Sequence, residues 1–173
     1  LNLEIAATNE MHNIAKKQKP TFICIVPEKR KEITTEGGLN LNYKFNFLKK
    51  IIQSLKKNGS RVSLFINPRL EDVKKAKKLG TDCIEIHTGK LCNLINKKKP
   101  YFNEFKKIKT SAELGKKLNL EVHAGHGLTY QSARVLTKIK SIEEYNIGHF
   151  LVGESIFEGL PKIIKKFKRI IKK

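Results

Sequence analysis

The sequence is poor in arginine and in long apolar runs, although it is strongly basic. Only five of its 36 basic residues are arginine, while the net charge is +20. Proteins that read nucleic-acid bases depend on the planar, bidentate guanidinium group. The lysine excess is therefore more typical of a solvated surface, and we expect no nucleic-acid partner. No apolar run approaches the ~20 residues that a membrane-spanning helix requires, so we expect no membrane partner either.

Paired cysteines and interdomain linkers are also missing. The three cysteines, Cys24, Cys83 and Cys92, form no CxxC motif and cannot all pair, and no signal-peptide pattern is visible. These features predict a reducing, cytoplasmic environment. No segment rich in Ser, Gly and Pro divides the chain, which predicts a single domain over residues 1–173. The first residue is leucine and already lies in an alternating apolar segment, so we interpret the chain as a fragment of a longer one.

Strand-like and helix-like segments alternate along the whole chain. Helical spacing of apolar residues covers 45–57, 69–79 and 160–172. The last of these is basic and amphipathic; packing on a sheet is favoured over lying on a membrane. Strand-like runs cover 1–7, 21–26, 61–67, 83–89, 120–125 and 147–153. Six repeats of this alternation predict a parallel α/β sheet. The polar segment 27–43 is long for a connection, which predicts a lid or binding loop.

Two predicted strands place a carboxylate on the face opposite their aliphatic side chains. The carboxylate is Glu4 in residues 1–5 and Glu85 in residues 83–88. Parallel strands covered by helices should be apolar on both faces. In a closed barrel this face is the interior, where burying an unpaired carboxylate is costly, and active sites of such barrels lie at the carboxyl ends of the strands. We predict that both residues are functional; the alternative is a structural ion pair with Lys or Arg.

The segment 121–130, EVHAGHGLTY, holds two histidines three residues apart. Strand alternation predicts that His123 and His126 lie on opposite faces, and no cysteine or carboxylate cluster completes a zinc set. We therefore predict no metal site. His126 falls at the strand end between Gly125 and Gly127, where a histidine is suited to carrying a proton. His123 is predicted to be a hydrogen-bonded core residue.

The segment 146–160 indicates phosphate binding. It places Gly148 and His149 in the last predicted strand and 153–155 before a short helix. In many barrels, loop amides and a helix N-terminus after the last two strands bind phosphate. Together with the net charge of +20, this pattern predicts a small phosphorylated substrate.

Four motifs follow one another along the chain: PEKRKEITTEGGL (27–39), IEIHTG (84–89), AGHGLTY (124–130) and NIGH (146–149). In sequence and in order they resemble motifs of the pyridoxine 5'-phosphate synthase family, which belongs to the deoxyxylulose-5-phosphate-dependent route to vitamin B6. The resemblance covers essentially all 173 residues. It implies a (β/α)8 TIM barrel that lacks its first two βα units here, so that strands three to eight are present.

The family condenses 3-amino-2-oxopropyl phosphate with 1-deoxy-D-xylulose 5-phosphate, releasing pyridoxine 5'-phosphate, phosphate and water. The resemblance implies that no metal or organic cofactor takes part. It implies three catalytic residues: Glu4 as general base, His126 as proton donor and Glu85 as transition-state stabiliser. It also implies four substrate contacts: Thr34 to the deoxyxylulose phosphate, and Gly127, Gly148 and His149 to the aminoketone phosphate.

The resemblance further implies a homo-octamer built from dimers. The two absent βα units would carry the family's first substrate-binding strand and a further catalytic histidine. We therefore predict that the full-length parent is the enzyme and that this chain alone is inactive.

Two other functions remain open at this level. One is another phosphate-binding TIM-barrel enzyme, such as a lyase or an aldolase. A Schiff-base aldolase needs a lysine near a strand end, whereas IEIHTGK offers Lys90 only in the following loop. The other is a basic, polyanion-binding fragment, which the absence of arginines interleaved with aromatic residues argues against.

Overall fold

The computed structural model describes residues 1–27, 37–42 and 45–172. Within these residues, six strands and eight helices follow one another along the chain. The strands are β1 (Asn2–Ala6), β2 (Phe22–Val26), β3 (Arg61–Ile66), β4 (Cys83–His87), β5 (Glu121–Gly125) and β6 (Glu144–Asn146). The helices are α1 (Asn9–Gln18), α2 (Phe45–Lys57), α3 (Leu70–Leu79), α4 (Gly89–Asn96), α5 (Phe102–Lys117), α6 (Tyr130–Leu136), α7 (His149–Glu158) and α8 (Leu160–Ile171).

All six strands are parallel and lie in one sheet in their chain order, from β1 at one edge to β6 at the other. The sheet curls like half of a barrel. Sequential order means that each helical crossover returns the chain to the neighbouring strand. The carboxyl ends of all strands therefore meet at one edge of the sheet, where the loops that follow them come together.

Alternation along the strands gives the sheet one apolar and one polar face. Ile25, Leu64 and Ile84 belong to the apolar face and are completely buried beneath the helices. Burying a side chain of this size contributes about 1.5–3 kcal/mol, so this face holds most of the core. The opposite face carries Glu85 and His123, which are paired across β4 and β5. The prediction that Glu85 points away from the aliphatic residues is confirmed.

Local signals account for several helix ends. Thr8 caps α1 by accepting a hydrogen bond from the Met11 N–H group at 3.2 Å. Thr129 forms a capping box with Ser132 at the start of α6. Gly80 ends α3 in the left-handed conformation, with φ of 83°, which glycine adopts without steric cost.

The prediction of the last strand is wrong. Residues 147–153 do not form a strand: β6 ends at Asn146, Gly148 precedes the first turn of α7, and α7 covers the rest of the run. The prediction that Gly148 and His149 lie within a strand is corrected accordingly. A short apolar run contains too few residues for the spacing of its apolar side chains to distinguish a strand from a helix. The other five predicted strands are confirmed to within two residues at either end.

The last helix, α8, packs on the body of the protein. Ile163 and Phe167 are buried, and the Phe167 ring lies 4.7 Å from the Tyr130 ring, measured between centroids. Among the described helices, none is long and apolar enough to span a membrane. Helix α8 therefore packs on the protein, but chiefly against α6 and α7 rather than on the sheet as predicted, while Leu160 and Ile164 remain exposed on its other side.

Candidate active site

A cavity of about 780 Å³ opens at the carboxyl-terminal edge of the sheet. It is lined by residues from the ends of β2, β5 and β6 and by side chains that project from within β1, β3 and β4. Six of the seven site residues singled out from the sequence line it: Glu4, Glu85, His126, Gly127, Gly148 and His149. The seventh, Thr34, lies outside the described residues, as does most of the predicted binding loop 27–43.

Glu85 lies at the base of this cavity and is only 4% exposed. The side-chain amide of Asn146 donates a hydrogen bond to its Oε2 at 2.7 Å. The Cys24 thiol donates to the same oxygen at 3.5 Å. Burial raises the pKa of Glu85, and the two hydrogen bonds oppose that shift without reversing it. Glu85 is thus a fixed, desolvated carboxyl group.

Gly125 makes room for this carboxyl group. A β-carbon at Gly125 would lie 1.8 Å from Glu85 Oε1 and 3.2 Å from Asn146 Cβ. The Glu85 side chain therefore crosses over β5 where that strand has no side chain. Gly125 is the last residue of β5, as the predicted strand 120–125 implies, and its role there is to leave space.

His126 follows β5 and begins the next turn with a φ of 77°. This left-handed conformation is uncommon for a residue other than glycine. The His126 ring is exposed and lies 5.0 Å from the His87 ring and 6.3 Å from the Phe65 ring, between centroids. Both neighbours share the polar face with Glu85, so His126 lies on that side too.

The predicted separation of the two histidines onto opposite faces is wrong, because the strand ends before His126 and alternation does not extend into the turn. The prediction for His123 is confirmed. It is 2% exposed, and its Nε2 lies 2.9 Å from Glu121 Oε1.

His87 is a neighbour of His126 that sequence reasoning did not assign. It is 7% exposed, and its Nε2 has no hydrogen-bond partner among the described residues. Burial, followed by the nearby His126 ring, lowers the pKa of His87 to about 4. The ring is therefore neutral at physiological pH. The sequence feature that could have identified His87 is its place in IEIHTG, on the same strand face as Glu85.

Glu4 faces the cavity from β1 and is exposed. Its negative charge adds to the effect of burial in raising the pKa of Glu85. It likewise contributes to the raised pKa of Cys24, where burial is the main cause and the Glu85 charge the next. The lining of the cavity thus includes an exposed carboxyl group, Glu4, and a buried one, Glu85, whose pKa the first helps to raise.

The start of α7 closes the far side of the cavity. Gly148 precedes its first turn and His149 begins it; both are exposed. The first N–H groups of a helix lack partners within the helix and attract anions. Gly127, with φ of 76°, also lines the cavity. Three of the residues predicted to bind phosphate therefore surround one space.

A second polar cluster lies at the opposite, amino-terminal end of the strands. Ligand-type atoms of Cys83, Glu121 and His123 lie within 4.8 Å of one another. The Arg61 guanidinium group donates to the Glu121 carboxylate, and its Nη2 lies 3.5 Å from Cys83 Sγ. His123 Nδ1 is 3.5 Å from Glu144 Oε1. Arginine thus supplies the positive charge of an ion-pair network that links β3, β5 and β6.

The cavity brings together the elements of acid–base chemistry on an anionic substrate. It offers a buried carboxyl group, an exposed carboxylate, an imidazole ring and the start of a helix at the carboxyl ends of parallel strands. This arrangement defines an α/β enzyme whose site is built on the strand ends.

Comparisons with known proteins identify the family. The family model described as "Pyridoxal phosphate biosynthesis protein PdxJ" matches residues 1–173. The pyridoxine 5'-phosphate synthase of Pelagibacter ubique (strain HTCC1062) is 56% identical over 172 residues, which are 99% of this chain and 72% of the relative. That of Sulfurihydrogenibium sp. (strain YO3AOP1) is 46% identical over 171 residues, covering 99% and 70%. The chain therefore belongs to the PdxJ family.

The fold also resembles that of a solved citrate synthase, SbnG. The TM-score is 0.58 at 8% sequence identity, covering 98% of this chain and 72% of the other. At this identity the likeness concerns the fold alone.

Proposed function

We propose that this chain supplies catalytic and substrate-binding residues to a pyridoxine 5'-phosphate synthase. That enzyme would condense 3-amino-2-oxopropyl phosphate with 1-deoxy-D-xylulose 5-phosphate to give pyridoxine 5'-phosphate, phosphate and water. The observation that carries the proposal is the meeting around one cavity of six residues to which the family resemblance gives a role, in a chain that belongs to the PdxJ family.

The proposed roles follow the environment of each acid–base group. Imine formation, elimination and ring closure each require protons to move, and a positioned acid or base speeds such steps. Glu4 is exposed to the cavity and acts as the general base. His126 lines the same cavity after the end of β5 and acts as the proton donor. Glu85, buried and fixed by hydrogen bonds, stabilises positive charge that develops in the transition state, since a preorganised group is effective where water is excluded.

The phosphate groups are proposed to bind at two places. Gly148 and His149 form the start of α7, where unpaired N–H groups favour the aminoketone phosphate, and Gly127 lines the same cavity. Thr34 is proposed to contact the deoxyxylulose phosphate. Its motif, ITTEGG, continues into Gly38, whose N–H group donates to Asn67 Oδ1 at 2.9 Å beside the end of β3.

We further propose that the six strands correspond to strands three to eight of a (β/α)8 barrel. The sequential strand order and the polar inner face support this correspondence, as does the 70–72% share of the two relatives that the chain covers. The open sheet leaves part of the cavity without a wall, so we propose that the 173 residues alone are inactive. The homo-octamer implied by the family resemblance is part of the same proposal.

An assay of two chains tests the function and the inactivity separately. The first is the purified 173-residue chain; the second is an extended chain in which the part of the Pelagibacter relative outside the match is restored. Both are incubated with the two substrates, and pyridoxine 5'-phosphate is measured by mass spectrometry. Product from the extended chain alone supports both proposals. Product from the 173-residue chain contradicts its inactivity, and no product from either chain contradicts the function.

The Schiff-base aldolase alternative has no support in the cavity. None of the described residues that line it is a lysine. Lys90, the nearest lysine to IEIHTG in sequence, instead forms an ion pair with Glu104 on α5, with Nζ 3.5 Å from Oε2.

A further inference from the structure

The backbone of His126 needs external support. Its φ of 77° lies in the left-handed region, which residues other than glycine seldom adopt. Such conformations persist only where surrounding contacts hold them, and they concentrate at functional sites. The direction in which the His126 ring leaves the turn depends on this backbone, so whatever holds the turn also sets the position of the ring.

Thr88 supplies the main support from the neighbouring strand end. It directly follows β4 and occupies the cap position of α4. A threonine there ordinarily accepts a hydrogen bond from the first turn of its own helix, but the Thr88 side chain makes no such bond. Its Oγ1 lies instead 2.8 Å from the Gly125 carbonyl oxygen and 2.8 Å from the His126 carbonyl oxygen. The hydroxyl group therefore does not cap α4; it bonds to the turn that contains His126.

Further contacts tie the same two segments together. The Thr88 N–H group donates to the Gly125 carbonyl at 2.9 Å. Cys92, one turn into α4, places its thiol 3.7 Å from the His126 carbonyl oxygen. A β-carbon at Gly89 would lie 2.8 Å from His126 Cδ2, so the imidazole ring rests directly on the first turn of α4. Thr88 itself is completely buried.

We propose that Thr88 is a positioning residue that holds His126 in its left-handed turn and thereby aims the imidazole ring into the cavity. This inference rests on the proposed function, in which His126 donates a proton. Thr88 acts through the backbone of His126. Its loss therefore affects the chemical step more than substrate binding, because a shift of the turn leaves the phosphate contacts of Gly148 and His149 at α7 in place.

Three variants separate this role from ordinary stability. Thr88→Val keeps the shape of the side chain and removes the hydroxyl group, and Thr88→Ser retains the hydroxyl group. Thr81→Val is the matched control. Thr81 is also buried, and its hydroxyl group also donates to two backbone carbonyls, those of Val62 and Cys83. It lies at the opposite end of β4, away from the cavity.

The variants are compared in the version of the chain that forms pyridoxine 5'-phosphate in the assay above. We expect T88V to lower kcat about 10- to 100-fold, with KM for both substrates changed less than about threefold, since small displacements of a reacting group have effects of this size. T88S should stay within about threefold of the parent kcat. T81V should lower the melting temperature as much as T88V does, with kcat lowered less than about threefold. A T88V kcat near that of the parent, or a T88S kcat as low as that of T88V, would overturn the proposal.

Crystal structures of the parent chain and the T88V variant test the positioning without any turnover. We expect the parent to hold His126 at positive φ and T88V to show a changed φ or a displaced ring. A T88V structure with His126 unchanged in both backbone and ring contradicts the proposal, even if neither chain is catalytically active. Absence of activity in every chain would instead contradict the proposed function, and the structural comparison would still decide the role of Thr88.

Discussion

Replacing Gly125 by alanine should be among the most disruptive small changes in this protein. The added methyl group would lie 1.8 Å from Glu85 Oε1 and 2.9 Å from Glu85 Cδ, far inside the contact distance of any two atoms. The backbone cannot withdraw, because Gly125 is paired with His87 on one side and Asn146 on the other. The Glu85 side chain must therefore rotate away.

The cost follows from what Glu85 loses when it rotates. It gives up the 2.7 Å hydrogen bond from Asn146 and the weaker one from the Cys24 thiol. Losing a hydrogen bond to a charged group costs about 1.5–3 kcal/mol, and overpacking a dense interior adds about 1–3 kcal/mol. We expect G125A to lower the free energy of unfolding by about 3–5 kcal/mol, a large share of the 5–15 kcal/mol typical of a folded domain.

Urea unfolding followed by circular dichroism measures this loss. Gly153→Ala is the matched control, since a β-carbon there meets no atom within 4 Å and its site is helical; it should be neutral or stabilising by up to about 1 kcal/mol. In a Glu85→Ala background the clash is absent, so G125A should cost less than about 1 kcal/mol. If G125A costs as much in that background as in the parent chain, the clash with Glu85 is not the cause.

Other predictions concern the titrating groups around the cavity. Because burial raises the pKa of Glu85 in the folded state, its contribution to stability is present below the unfolded pKa and is lost as pH rises through the folded one. Glu85→Gln should therefore gain stability relative to the parent chain as pH rises above the ordinary glutamate pKa of 4.5 in urea titrations, and a constant difference would contradict this. Burial lowers the pKa of His87 from 6.5 to about 4, so up to about 3 kcal/mol of stability should be lost as pH falls between those values. His87→Gln should flatten that pH dependence, whereas an unchanged slope would show that His87 is not the titrating group. Burial is also the main cause of the raised pKa of Cys24, Cys83 and Cys92; Ellman's reagent should label all three within seconds only after unfolding, and rapid labelling of the folded chain would refute their protection.

The strands and the polar face of the sheet follow from local patterns. Alternation in 83–87 already separates Glu85 from the aliphatic residues beside it, and helical spacing in 45–57 gives the observed bounds of α2. The alternation of apolar and polar residues does not predict the last strand, because β6 has only three residues. A strand this short is held by pairing with β5 rather than by its own apolar pattern.

The principal residues of the candidate site could be predicted from the sequence, but the residues that form hydrogen bonds with them could not. Glu85 and His126 stand at recognisable positions, one inside a strand and one between glycines at a strand end. Asn146 and Cys24, which hold Glu85, are each 61 residues from it in the chain. Their contacts depend on strand order and register, for which a single sequence gives no direct signal.

The sequence by itself determined the alternation of strands and helices, the polar face of the sheet and the family motifs, because these depend on periods of two and 3.6 residues and on the order of residue types. Only the tertiary structure decided that Gly125 leaves space for a carboxyl group, that His126 turns back to the side of Glu85 and that Thr88 bonds to the histidine turn. Each of these depends on how neighbouring strands are aligned. That alignment is fixed by the packing of the whole sheet, not by any one segment.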